Sequence, residues 1–201
     1  VGDDVRYYAV AYGNSKFYAG SRLPAFGNKV KYSTDGENWT TTNASNLAMS
    51  SNPKGRMIFA NNKFVSVGST SISYSTDGTT WTSTGHSVSD NSARFMGVAY
   101  GNGKFVAMTG HGYSSSSTDG INWTQTSSTK LVSSSGGDDK DATHGDMTFG
   151  NDKFIFVGED RYSSTYYIWS STDGASWTSV STNFADDGPG CPCNRGGWGI
   201  A

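Results

Sequence analysis

Proline and cysteine are scarce in this chain: of 201 residues, 4 are proline and 2 are cysteine. Cys191 and Cys193 flank a single residue, Pro192. At that spacing the Cα separation and side-chain directions disfavour a relaxed disulfide. Pairing with another chain, a strained local bond and free thiols all stay open, and two ligands fall short of the four that a structural zinc site takes. No run approaches the roughly 18 apolar residues that would suggest a membrane-crossing helix. Charge of one sign is also lacking, since 15 basic residues face 17 acidic ones for a formal net charge of −2. That balance supplies no electrostatic footprint for nucleic acid or an anionic membrane surface. No secretory leader is visible at Val1. No stretch shows a helical period of apolar residues. Glutamate is nearly absent as well, at Glu37 and Glu159 only.

What is present is repetition. The stretch Ser33-Thr34-Asp35-Gly36-Glu37-Asn38-Trp39-Thr40 recurs over 75–82, 117–124 and 171–178 with Ser-Thr-Asp-Gly-x-x-Trp-Thr unchanged. Each fixed position has a role in a hairpin turn. The Asp (Asp35, Asp77, Asp119, Asp173) accepts hydrogen bonds from backbone N–H groups just ahead of it, and the Gly tolerates positive φ. The Ser adds a second side-chain bond to the backbone. The Trp (Trp39, Trp81, Trp123, Trp177) starts the outgoing strand as a large buried anchor. A second element precedes each turn: Val10–Phe17, Met57–Phe64, Val98–Phe105 and Met147–Phe154 each read as an apolar run, a Gly/Asn turn ending in Lys-Phe, and a second apolar run. That is a hairpin signature. One copy therefore holds four strands, over about 6–12, 17–20, 29–33 and 39–42 in the first.

The turn aspartates are 42, 42 and 54 residues apart. Four strands in a repeat of this length fit the blade of a β-propeller, whose sheets bury their faces only by stacking on neighbours. The expected fold class is thus all-β, a propeller of four visible blades over about 5–42, 55–84, 94–126 and 144–180 in a single domain. A linker and a fifth innermost strand are expected within 185–201, because Trp198-Gly-Ile-Ala201 is similar to Met96-Gly-Val-Ala99.

The turn motif resembles the Asp box of bacterial neuraminidase (sialidase)-type repeats, or BNR repeats, over nearly the whole chain. The family pattern is Ser-x-Asp-x-Gly-x-x-Trp, whereas here Gly directly follows Asp. The resemblance implies that the turn is structural, joins the third and fourth strands of a blade and lies far from the ligand face. It also implies a place for an arginine triad that holds a carboxylate in sialidases. Arg6 and Arg94 fall at the same repeat position, with Arg195 nearby, and forked guanidinium geometry suits such a ligand. The family's Arg-Ile-Pro segment is absent, and no Tyr/Glu nucleophile pair with an acid is matched. Glycosidases need two acidic groups at a defined separation, so sialidase activity is not expected of these residues.

Length differences between the copies carry the functional information. The first and third turns of each copy keep their length. The second connection does not: Phe17 to Ser33 spans 16 positions, Phe64 to Ser75 11, Phe105 to Ser117 12 and Phe154 to Ser171 17. The connection between copies varies too. In an up-and-down blade these two connections share one edge, and variable loops on a rigid scaffold are where binding resides. Candidate ligand residues there are Arg22, Arg94, His111, Tyr113, Arg161, Tyr162 and Tyr166, with Phe26, Asp160 and Tyr167 beside them. Aromatic rings beside arginines suit stacking on sugar rings and bonding to their hydroxyls. Asp138, Asp139, Asp141 and Asp146 offer oxygens of the type that hold Ca²⁺, in no EF-hand spacing. The expected role is a non-catalytic extracellular or cell-surface binding and adhesion module, with glycans as candidate partners. The alternatives are a structural subunit of an extracellular polymer joined through its C-terminal strand, and a fragment of a sialidase-like glycoside hydrolase.

Overall fold

The computed structural model describes residues 6–22, 27–49, 56–90, 94–127, 142–160 and 166–180. Among the described residues, sixteen strands form four antiparallel sheets of four, each built from consecutive strands. The first sheet contains β1 (Tyr7–Gly13), β2 (Lys16–Ser21), β3 (Lys29–Ser33) and β4 (Thr40–Asn43). The second contains β5 (Arg56–Ala60), β6 (Lys63–Gly68), β7 (Ser71–Ser75) and β8 (Thr82–Ser83). The third contains β9 (Phe95–Gly101), β10 (Lys104–Thr109), β11 (Ser114–Ser117) and β12 (Thr124–Gln125). The fourth contains β13 (Ala142–Gly150), β14 (Lys153–Asp160), β15 (Tyr166–Ser171) and β16 (Thr178–Val180). No helix among the described residues is long and apolar enough to cross a membrane. The proposed C-terminal strand, Cys191 and Cys193 lie outside the described residues.

The first strand of each sheet is innermost, and β1, β5, β9 and β13 pack on one another in that order. This is the propeller arrangement expected from the repeat. The hairpin between the first two strands is closed by paired left-handed residues, such as Asn14 (φ 50°) with Ser15 (φ 59°) and Asn151 (φ 48°) with Asp152 (φ 58°). Two residues of that handedness match the twist of the flanking strands, and Asn is among the few side chains that adopt it readily.

Burial is organised between sheets. Strand alternation gives each sheet a leading face toward the preceding sheet and a trailing face toward the following one. Between the first two sheets, Tyr18 and Val30 from the trailing face meet Met57, Phe64 and Trp81 from the next leading face. Val65, Val67 and Ile72 meet Phe95, Val98 and Phe105 at the second junction. Met96, Val106 and Met108 meet Met147, Phe154 and Phe156 at the third.

Position along the arc corrects one expectation. Trp81 is 4% exposed, but its counterpart Trp39 is 38% exposed. The indole of Trp39 lies on the leading face of the first sheet, and no sheet among the described residues precedes it. Trp123 and Trp177 are half-buried against the second and third junctions.

Candidate functional site

The two edges of the sheets differ in construction. One edge carries the Ser-Thr-Asp-Gly turns, which join β3 to β4, β7 to β8, β11 to β12 and β15 to β16. In the third copy, Asp119 Oδ1 accepts from the N–H groups of Ile121 and Asn122 at 2.8 Å each, and the Ser117 hydroxyl donates to it at 2.9 Å. The same serine oxygen accepts from Gly120 N at 2.9 Å, where Gly120 has φ +73°. The set repeats at Asp35, Asp77 and Asp173. These bonds favour the charged form and hold all four carboxyls well below the ordinary aspartate range. For Asp35 the main cause is the Asn38 side chain, and for Asp119 the Asn122 backbone N–H. The Ala175 N–H leads for Asp173. At Asp77 partial burial pushes upward, but the Thr80 and Thr79 N–H groups prevail. In all four copies the Oδ1 lone pairs serve the turn itself.

A side-chain amide ties three of the four turns to the preceding sheet. Asn14 Nδ2 donates to the Thr76 carbonyl at 2.9 Å, Asn61 to Thr118 at 3.5 Å and Asn102 to Thr172 at 3.2 Å. The left-handed backbone of the hairpin thus serves a second purpose, aiming the amide at the next turn.

The opposite edge carries the connections of unequal length. The register shifts at Tyr7/Ala9, Met108/Thr109 and Ala142/His144 all fall at this edge. Bulges re-aim side chains at strand ends, so three of the four sheets present their loops differently. Around the third sheet, Gly110 N donates to the Arg94 carbonyl at 2.8 Å and Thr109 N to the Tyr113 carbonyl at 2.9 Å. These bonds bring Arg94, His111 and Tyr113 to one corner. His111 Nδ1 lies 2.7 Å from Asp90 Oδ2.

His111, a candidate ligand residue, is buried, with 2% of its surface exposed. The Asp90 contact draws the ring beneath the loop, so it ties two connections together and is not displayed. Arg94 is exposed and Tyr113 is half-buried. Arg22 is half-buried just after β2, in another sheet. Tyr166 lies in β15, but its side chain lies outside the described residues, as do Arg161, Tyr162, Phe26, Asp138, Asp139 and Asp141. Of the suggested Ca²⁺ ligands only Asp146 is described, and its carboxylate faces an arginine.

That arginine was not singled out from the sequence. Arg56 Nε lies 3.1 Å from Asp146 Oδ1, and an Arg56 terminal nitrogen donates to the Gly145 carbonyl at 2.8 Å. The two residues occupy the same repeat position, seven before their Lys-Phe lysines Lys63 and Lys153. They come from inner strands of the second and fourth sheets, so the bridge passes over the third. Gly97 holds that position in the third sheet, where Met147 and the Asp146 backbone fill the space a side chain would need. Aligning the copies on Lys-Phe exposes the Ala9, Arg56, Gly97, Asp146 set, which is the signal that could have found it.

One further pair has catalytic distance without catalytic access. His86 Nε2 lies 2.9 Å from Ser115 Oγ. Ser115 is fully buried in β11, and burial holds His86 below its ordinary pKa. A nucleophile needs room for a substrate carbonyl, so this pair is structural.

No protein-family model matches the chain, and no curated protein matches it. Solved structures do. A glycosyl hydrolase from Bacteroides ovatus aligns with a TM-score of 0.53 at 13% identity, covering 86% of this chain and 69% of that one. A GH32 β-fructofuranosidase of Bombyx mori, solved with sucrose, aligns with a TM-score of 0.52 at 14% identity over 88% of this chain. The match spans 51% of that enzyme's length. A GH130 glycoside hydrolase structure, described as targeting β-1,2 mannosidic linkages in Candida mannan, gives 0.52 at 14% identity, covering 86% of this chain and 69% of that one. At such identities the likeness is one of fold, and the four sheets form a β-propeller architecture.

Proposed function

We propose that this chain is a non-catalytic binding module of the Asp-box (BNR) type, which works outside the cell and takes glycans on its variable edge. The observation that carries the reading is the contrast between edges. Four turns repeat the same hydrogen bonds on one side, while every change of loop length and every register shift falls on the other. Arg94 and Tyr113 stand together on that variable edge, and Arg22 lies on it in another sheet. They bring two guanidinium groups and a half-buried tyrosine ring, packed on the second junction, to that edge. His111 acts from beneath, holding the corner through Asp90.

The described carboxylates support the non-catalytic part of this reading. Each turn aspartate holds its own turn through Oδ1, Asp146 faces Arg56, Asp90 faces His111, and Glu37 sits in a turn. None forms the opposed acid pair that glycoside hydrolysis uses. The experiment is a glycan array with the full chain, followed by Arg94→Ala and Tyr113→Ala and an assay for released reducing sugar. Binding that these substitutions weaken at least tenfold, without sugar release, supports the reading. Turnover, or glycan binding indifferent to both substitutions, overturns it. A second reading, a structural subunit, is favoured by the exposed leading face of the first sheet.

A further inference from the structure

Among the described residues, the same junction between sheets is built three times and both halves of a fourth are left uncovered. On the leading side, Met57, Val98 and Met147 are buried, but their counterpart Val10 is 67% exposed. Phe64, Phe105 and Phe154 are fully buried, but Phe17 is 37% exposed. Tyr12 packs on Phe17 with ring centroids 4.9 Å apart and is exposed with it. Val10, Tyr12, Phe17 and Trp39 are the exposed large hydrophobic residues among those described, and all four lie on this one face. Scattered exposed apolar residues are ordinary, whereas a contiguous patch marks an interaction surface.

The trailing side of the fourth sheet is its complement. At Gly13 and Gly101 the ring of the following sheet, Phe59 or Phe149, fills the space a side chain would take. At the equivalent Gly150 nothing lies within 4 Å. Tyr18, Val65 and Val106 seat on Gly78, Gly120 and Gly174 of the next turn. Their counterpart Ile155 is half-exposed, as are Val157 and Ile168, while Gly36 meets only its own sheet's Phe17, at 3.9 Å. Asn151 has the left-handed backbone of the other three latch asparagines.

We propose that these two faces dock head to tail between two copies of this chain, the fourth sheet of one covering the first sheet of the other. The three internal junctions specify the register. Gly150 of one copy receives Tyr12 of the second, Ile155 seats on Gly36, and Asn151 donates to the Thr34 carbonyl. A contact between different faces is heterologous, so it closes into a ring or extends into a filament. Either assembly satisfies the proposal, which stands independently of glycan binding.

The test uses two full-length variants and their mixture, weighed by sedimentation velocity across a range of concentrations. Val10→Glu charges an exposed leading position, and Gly150→Arg fills open space on the trailing side, so neither disturbs the folded chain. The unmodified chain forms species of at least twice its own mass, each variant alone is monomeric, and an equal mixture gives a one-to-one dimer. A strictly monomeric unmodified chain overturns the proposal. So does a mixture that stays monomeric, which would mean that the faces do not meet each other. A third overturning result is a lowered melting temperature of monomeric Val10→Glu relative to the unmodified monomer, because the face would then be covered by residues of the same chain.

Discussion

The repeat places a tryptophan at one position in four sheets, and the structure makes its worth depend on which sheet carries it. Trp39 and Trp81 make the same polar contact: each indole N–H donates to the carbonyl of its own turn glycine, Gly36 at 2.9 Å and Gly78 at 3.1 Å. Comparing Trp39→Ala with Trp81→Ala therefore cancels the hydrogen bond and leaves burial. Their exposures of 38% and 4% differ by about a third of the residue's surface. For a side chain that buries up to about 250 Å², a third is about 80 Å², or about 2 kcal/mol at 25 cal/mol per Å². Trp81→Ala also opens a hole beside Phe64, Tyr18 and Leu47, which brings its total into the 3–5 kcal/mol range of buried Trp truncations. At about 2–4 °C per kcal/mol for a chain of this size, Trp81→Ala melts at least about 4 °C lower than Trp39→Ala. Thermal unfolding followed by circular dichroism, at concentrations where the chain is monomeric, measures the difference. Equal losses from both substitutions would refute the assignment of Trp81 to a junction and Trp39 to an open face.

Acid should act through the turns. The native carboxyls of Asp35, Asp77, Asp119 and Asp173 lie below their unfolded values, so their contribution is whole above about pH 5 and is lost as pH falls through about 4 and below. His86, held low by burial, adds an earlier loss beginning below about pH 6.5. Melting temperatures from pH 7 to 2 should trace both declines, with the steeper one shallower in Asp119→Asn; a flat profile contradicts the turn chemistry. For the Arg56–Asp146 ion pair, a double-mutant cycle of Arg56→Met and Asp146→Asn should show coupling of about 0.5–3 kcal/mol, the range for residues in one salt-bridge contact. Additive losses in equilibrium unfolding would remove the bridge from the account.

The local chemistry of each copy was readable without coordinates. Expected strands over 6–12, 17–20, 29–33 and 39–42 became Tyr7–Gly13, Lys16–Ser21, Lys29–Ser33 and Thr40–Asn43, because alternation and turn residues act over a few positions. The bonding of Asp119 and Ser117 follows from their place beside a left-handed glycine. What escaped was set by relations between copies. Nothing around Trp39 differs from the surroundings of Trp81 in a way that announces exposure, since the difference lies in the neighbouring sheet. The burial of His111 depends on Asp90, 21 residues away, a partner that no local pattern names. Arg56 and Asp146 share a register, but only the curvature of the arc brings non-adjacent sheets together.

That bridge also bears on how such a chain can change over generations. Tandem repeats grow and shrink by duplication and deletion, and a contact between immediate neighbours survives either event. A contact that skips one neighbour does not. Insert a module between the second and fourth sheets, or remove the third, and Arg56 no longer finds Asp146 at 3.1 Å. An insertion ahead of the second sheet or after the fourth, by contrast, leaves the Arg56–Asp146 spacing intact.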